Sequence, residues 1–469
     1  MHEVLPAGHQ MTQVDDTPAS ASLARLGLRL SDWFERWFPD AFALALVAVA
    51  VVFAASVAAG ASVLEAAQWF GAGFWDLMAF TLQVAMIIVT GYAVATSPPV
   101  FAIISRLADV PRQPRTAMAF VALFSMLSSL LSWSFSLIFS ALLAREVGRR
   151  IRGADYRALG AAAYVGAGSV WALGLSSSAA LIMSASSSLP DSIERISGVI
   201  PLRQTIGLWQ SQASALILIV VSMAIAYYST PSARDARSIH DMGVTIPPAT
   251  DASVTPRRPG EWVEHSPALT LMVTGLGTWF LYREVATSGW TVLLDLNHYI
   301  FTFFIAGMLL HWRPRSFMNA VSASVTSTGG VLVQYPMYAG MVKMMTASGL
   351  ATAMANFFVA VSTHQTLPVL VGIYSAILGF FIPSAGGKWL IEAPYVLAAA
   401  KSLDVHLGWV VQTYNASEAL ANLVHPFWML PLLGILGLKA RDIVGYSMLQ
   451  FVVHVPLVLL LVWIFNFTL

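Results

Sequence analysis

The chain contains no cysteine, which excludes disulfides, thiolate metal sites and cysteine nucleophiles. Charge is scarce: Asp, Glu, Lys and Arg make up 10% of the 469 residues, against about a quarter in an ordinary soluble domain. The net charge of +1 offers no basic excess to a nucleic-acid partner. An HExxH zinc motif is missing, as are paired aspartates in facing apolar segments, so no catalytic constellation stands out and no cofactor or metal is called for. Segment 1–38 mixes acids and bases and lacks the basic region, apolar run and small-residue cleavage site of a signal peptide. What the chain has instead is hydrophobic residue, 57% of the total, with a mean hydropathy of +0.71. These values predict an all-α polytopic membrane protein.

A helix needs about 20 mostly apolar residues to cross a bilayer. Candidate spans are 40–59, 77–96, 158–186, 206–228, 266–282, 291–310, 320–342, 409–437 and 443–466. Residues 22–38 read as an amphipathic interfacial helix within a cytoplasmic N-terminus, 1–38. Basic loops mark the inside face: Arg106, Arg112 and Arg115 before one apolar stretch, Arg145, Arg149, Arg150, Arg152 and Arg157 after it. The stretch between them, 116–144, must then enter and return on one side. It centres on Ser132-Trp133-Ser134-Phe135-Ser136, too polar for lipid but suited to the tip of a re-entrant hairpin; two short full crossings are the rival reading. Segment 229–265, with four arginines and five prolines, reads as a cytoplasmic linker, and 266–282 as a connecting helix. Loops 60–76, 187–205 and 401–408, poorer in Lys and Arg, are expected outside.

A second stretch, 366–400, is broken by Ile382-Pro383-Ser384-Ala385-Gly386-Gly387-Lys388, with Glu392 one turn on. Proline, glycines and ionisable groups are tolerated at membrane depth only where the break lines a protein cavity. Sliding the chain along itself until Gln83 falls on Gln334 also lays the first break on the second, and 40–59 on 291–310. The charge count gives the copies opposite orientation. The expected architecture is two inverted-topology repeats, 39–228 and 286–469, each with a re-entrant hairpin and discontinuous helices; chance alignment of apolar sequence is the alternative.

Hairpin tips supply donors for an anion through free N–H groups at helix starts. Candidate solute-binding residues are therefore Ser132, Trp133, Ser134, Ser136, Ser384, Gly386 and Gly387, which could instead serve helix packing. Gln83 and Gln334 are added, with simple helix-to-helix bonding as their alternative. Lys388 attracts a carboxylate or only neutralises Glu392. Segment 409–437 carries Gln412, Tyr414, Asn415, Ser417, Glu418, Asn422, His425 and Pro426, too polar for a passive span. Glu392, Glu418 and His425 are candidates for proton relay.

Several blocks resemble the short-chain fatty acid transporters of the AtoE type: GFWDLMAFTLQVAMIIVTGYAVATSPPV at 73–100, AREVGRR at 144–150, GGVLVQYPMYAGM at 329–341, IPSAGGKWLIEAPYV at 382–396 and HPFWMLPLLGILGLKARDIVGY at 425–446. The resemblance runs from about residue 32 to the end. It implies a multi-pass carrier of the bacterial inner membrane for small monocarboxylates such as acetoacetate or butyrate. Its expected partners are that carboxylate, a coupling H⁺ or Na⁺ and the lipid bilayer, with a homodimer as one oligomeric state. The family pattern at the first break is Asn-Trp-Gly-Phe-Gly, where this chain has Ser132, Ser134 and Ser136. At the second it has His and Gln, where this chain has Lys388 and Glu392. Other readings are a carrier of a gluconate-like acid or dicarboxylate, a channel, or an intramembrane enzyme.

Overall fold

The computed structural model describes residues 41–76, 78–184, 189, 191–244, 258–326, 328–350, 353, 357, 360–380 and 385–469. The expected N-terminal helix 22–38, part of the linker (245–257) and Ser384 lie outside them. The regular elements among these residues are helices. In chain order they are α1 (Ala41–Ala58), α2 (Val63–Gly73), α3 (Met78–Thr96), α4 (Pro98–Leu107), α5 (Pro114–Leu131), α6 (Trp133–Arg150), α7 (Tyr156–Ser169), α8 (Ser178–Met183), α9 (Asp191–Ser197) and α10 (Trp209–Tyr228). There follow α11 (Glu261–His265), α12 (Pro267–Ser288), α13 (Leu296–His311), α14 (Pro314–Val325), α15 (Gly329–Ala347), α16 (Leu367–Gly379), α17 (Ala385–Ser402), α18 (Leu407–Asn422), α19 (Pro426–Leu436) and α20 (Ala440–Asn466).

By length and composition, four described runs can each cross a membrane: α5, the broken run Tyr156–Met183, α10 and α20. A fifth is α3 with α4, bent by 65° where Pro98 and Pro99 remove two backbone donors. The chain is a multi-pass membrane protein.

Both broken stretches reverse direction. Ser132 ends α5 and caps α6 in an extended conformation (φ −155°, ψ 117°), its hydroxyl accepting from Phe135 N. Across this one-residue turn, Ser136 Oγ donates to Ser125 O at 2.7 Å. In a continuous helix those residues would stand about 16 Å apart. The second pair of arms, α16 and α17, is tied by Tyr374 and Tyr395, whose hydroxyls meet at 2.9 Å. Their sequence separation would put them about 30 Å apart in one helix.

The structure differs from the sequence reading in its short elements. Region 60–76, expected as a loop, contains α2, started by a capping box in which Ser62 and Glu65 bond each other's backbone N–H. Stretch 320–342, expected as one span, is two helices, α14 and α15, because the polar residues Ser324, Thr326 and Thr328 and the glycines that follow interrupt it. Stretch 409–437, by contrast, is the discontinuous helix expected from its polar content and Pro426: it stops at Asn422 and restarts at Pro426.

Element bounds repeat along the chain. The register that sets Gln83 on Gln334 also sets both ends of α3 (Met78–Thr96) on both ends of α15 (Gly329–Ala347). It sets the first residues of α2 and α7 on the first residues of α14 and α18. The packing exchanges partners between the halves: α1 and α2 lie on α15, while α13 and α14 lie on α3. Every residue of α7 is buried, as is nearly all of α18, and the two broken runs cross at the centre. One difference breaks the correspondence: α6 packs along α3, but α17 makes no comparable contact with α15 among the described residues.

Close approach at the centre depends on small residues, as expected where lipid gives apolar side chains no reason to prefer each other. A Cβ on Gly166 would overlap Ser125 O, a backbone atom that cannot step aside. Gly166→Val should therefore force α7 from α5 and cost about 1–3 kcal/mol or more. Thermal unfolding of the purified protein in detergent should show a clearly lowered midpoint, with Gly275→Ala, at an open position, as the control.

Candidate functional site

The two hairpin tips meet. Trp133, the first residue of α6, and Ala385 and Gly386, the first two of α17, line one cavity of about 30 Å³ in the interior. Two 18-residue helices thus aim their N-terminal, partially positive ends at the same small space, an arrangement that favours an anion. Val84, Ile87 and Leu137 form an apolar wall. Trp133 is fixed by its backbone N–H, which donates to Ser176 Oγ at 2.5 Å, and by edge-to-face contact with Trp428, centroids 5.5 Å apart.

Two further lining residues carry unused polar atoms. Trp171 and Asn422 are 4% and 1% exposed, and neither Trp171 Nε1 nor Asn422 Oδ1 has a hydrogen-bond partner among the described residues. A buried polar atom without a partner costs about 1–3 kcal/mol, so such atoms facing a cavity mark a place where a polar guest belongs. The space admits water-sized contents; a four-carbon acid fits only when the walls part.

Behind the start of α17 lies a charged cluster with no exposed atom to speak of: Lys388, Glu392 and Glu418 are each 0% exposed. Lys388 Nζ is in direct contact with Glu418 Oε2 and stands 3.6 Å from Glu392 Oε1. It donates to Ser375 O at 2.6 Å and lies 4.9 Å from the centroid of the Tyr414 ring. The Ser375 hydroxyl donates to Glu392 Oε2 at 2.5 Å. The elements impose this: Lys388 and Glu392 are one turn apart on α17, Ser375 faces them from α16, and Gly379 leaves room beside the pair, since a Cβ there would lie 3.2 Å from Glu418 Oε2.

Other sequence candidates fall elsewhere. Ser132 and Ser134 bond to each other at 3.2 Å, and Ser136 also accepts from Ser128; these hydroxyls tie the first hairpin to itself and do not line the cavity. Gln83 donates to Asn297 Oδ1 at 2.8 Å, joining α3 to α13. Gln334 accepts from Tyr338 OH at 2.9 Å, one residue from Tyr335, which does line the cavity. Gly387 is buried next to Gly386, and His425 is buried at the break between α18 and α19. Sequence reasoning missed Trp171 and counted Asn422 only as part of a polar segment. It also missed the meeting of Lys388 with Glu418, although three ionisable groups in otherwise apolar helices were a signal that they pair.

Paired hairpins and broken helices enclose a small, mostly apolar cavity with a few polar atoms at their junction, and the class to which the chain belongs is that of the membrane transport proteins. Residues 22–465 match the family model described as "Short chain fatty acid transporter", and the chain belongs to that family. It is 36% identical over 428 residues to a protein of Escherichia coli (strain K12), covering 90% of this chain and 96% of that one. It is 31% identical over 441 residues to one of Haemophilus influenzae (strain ATCC 51907 / DSM 11121 / KW20 / Rd), covering 93% and 98%. Both bear the name "Putative short-chain fatty acid transporter". Among solved structures, the Alcanivorax borkumensis YdaH transporter, described as having an unusual topology, superposes with a TM-score of 0.53 at 17% identity, over 91% of this chain and 98% of its own; the two share a fold.

Removing the cation from the buried cluster leaves two acids facing each other. Lys388→Met should destabilise the protein by about 3–5 kcal/mol, the usual cost of breaking a buried pair. The loss should grow with rising pH, because only ionised Glu392 and Glu418 require a counter-charge, and shrink in acid. Thermal midpoints of the purified variant across pH test both the size and the sign.

Proposed function

We propose that the protein is a secondary carrier that moves short monocarboxylates, of the butyrate or acetoacetate kind, together with H⁺ by alternating access. The cavity between the tips carries this reading. Its two helix N-termini and the unpartnered Trp171 indole N–H suit a carboxylate head, Asn422 Oδ1 is left to accept from a bound water or an acid proton, and the apolar wall suits a short tail. Cations near it are few, Lys388 being already engaged, which favours a cargo with one negative charge over a di- or tricarboxylate.

Alternating access is supported by the break in correspondence between the halves. The first hairpin is closed on α3, with Gly91 so near Ser134 that a Cβ would lie 2.5 Å from its Oγ, whereas α17 is apart from α15. An open cleft of about 1280 Å³ runs behind the first tip, from Leu130 and Gly174 to Arg203, Trp290 and Asp295, and would give the cargo a way in. We read the matched element bounds as two inverted repeats, both hairpins as re-entrant, the membrane as the bacterial inner membrane and the N-terminus as cytoplasmic, in line with the arginine-rich loops.

Purified protein in liposomes should accumulate labelled butyrate faster than protein-free liposomes when the outside is made acidic, and unlabelled acetoacetate should compete better than succinate or gluconate. Preference for succinate or gluconate would replace the cargo assignment. Trp171→Phe, which removes the one indole N–H and keeps most of the ring volume, should raise KM for butyrate roughly ten- to a hundred-fold, the loss of a hydrogen bond to a charged group, with little change in thermal midpoint.

A further inference from the structure

The cluster of Lys388, Glu392 and Glu418 does not balance. It holds one base and two acids, and all three side chains are fully enclosed. With both acids ionised it would keep a net charge of −1 away from water, which is costly at membrane depth. Neutrality requires one more positive charge. Glu392 Oε1 and Glu418 Oε1 are buried and accept no hydrogen bond among the described residues, so an acceptor for that charge is already present. The Lys388 ammonium, over the Tyr414 ring, already stands against both acids, and a proton on one carboxylate is the smallest addition that restores neutrality.

We infer that this cluster is the proton site of the carrier, separate from the cargo cavity, and that Glu392 is the group that gains and loses the proton. Glu418 stays ionised in contact with Lys388. Glu392 is the further acid from the ammonium, 3.6 Å away, and its Oε2 is held by Ser375. The other titratable groups facing it are phenols: Tyr414 from α18, its hydroxyl donating to Ala385 O at 2.5 Å, and the bonded pair of Tyr374 on α16 and Tyr395 on α17. A hydronium ion on one side gives its proton to the Glu392 carboxylate and leaves water, and the resulting acid returns the proton to a water on the other side, which becomes hydronium.

The two sites share helices. Asn422 lies one turn beyond Glu418 on α18, and Gly386 lies two residues before Lys388 on α17. A deprotonated cluster therefore places a net negative charge about one helical turn from the cargo's carboxylate, where low dielectric leaves repulsion strong. A protonated one does not. Proton binding comes first and favours the cargo, and by linkage the cargo favours the proton.

This inference rests on the carrier reading, and its test separates the two. Wild type and Glu392→Gln are compared in liposomes for counterflow of labelled butyrate, which needs no net proton movement, and for accumulation under a pH gradient. In wild type, KM should fall as the pH on the uptake side falls. In Glu392→Gln, counterflow should persist, slowed several-fold, while the rate of accumulation falls to that of protein-free liposomes, which the undissociated acid enters unaided, and KM loses its dependence on pH. Glu418→Gln should behave alike, since each substitution leaves one acid against one base, and it stands in where the first variant does not reach the membrane. A variant that is folded by thermal melting but still accumulates butyrate under a pH gradient at the wild-type rate, above that of protein-free liposomes, would overturn the inference. So would loss of counterflow together with accumulation in a folded variant, or accumulation driven by Na⁺ at constant pH. Absence of butyrate counterflow in wild type would overturn the carrier reading instead.

Discussion

A polar group at membrane depth must find its partner inside the protein, because lipid offers none. That requirement explains most of what is unusual in this chain. Each place where a helix stops short creates free N–H and C=O groups, and each is answered locally. Ser132 caps its own turn, Ser176 takes the N–H of Trp133, and Tyr164 donates to the carbonyl of Asn422 at the end of α18. Buried charged side chains follow the same rule: Lys388, Glu392 and Glu418 meet one another, Asp155 pairs with Arg157, and Glu146 with Arg149 and Arg150. Among the groups that remain unanswered, Trp171 Nε1 and Asn422 Oδ1 belong to residues that line the space between the two tips, and Glu392 Oε1 and Glu418 Oε1 belong to the charged cluster.

The division of labour between the serine-rich and lysine-bearing hairpins follows from their contents. The first is stitched to itself by hydroxyl bonds between its arms and braced against α3. The second is held by an ion cluster and a tyrosine pair. Hydroxyl bonds do not depend on ionisation near neutral pH, whereas a cluster of acids and a base does. On the proposed carrier mechanism, the second hairpin is the one whose internal cohesion responds to protons, and the first is the surface it closes on.

The broken stretches were legible because a polar interruption in an apolar run is a local signal. Ser132–Ser136 and the Pro-Gly segment before Lys388 announced chain reversals, and the register that sets Gln83 on Gln334 showed in the order of hydrophobic blocks. The short helices α2 and α14 were not legible from hydropathy. They are amphipathic and lie between longer elements, so a span-length window averages them away, though the Ser62–Glu65 box was there to be read. Trp171 was hidden for another reason. An aromatic beside glycines looks like packing until the fold brings Asn422, from a helix in the other half of the chain, to the same cavity. Lys388 and Glu418 meet only through the crossing of α16, α17 and α18, which no pattern along one helix encodes.

The exchange of partners between halves also bears on how the molecule comes into being. Helices α1 and α2 leave the ribosome early, yet the helix they rest on, α15, is made much later, roughly 10–50 s at ordinary synthesis rates. During that interval the early segments wait in the bilayer without their permanent neighbour. The first half is therefore no independent folding unit, and assembly of the whole is committed only when the last third of the polypeptide arrives.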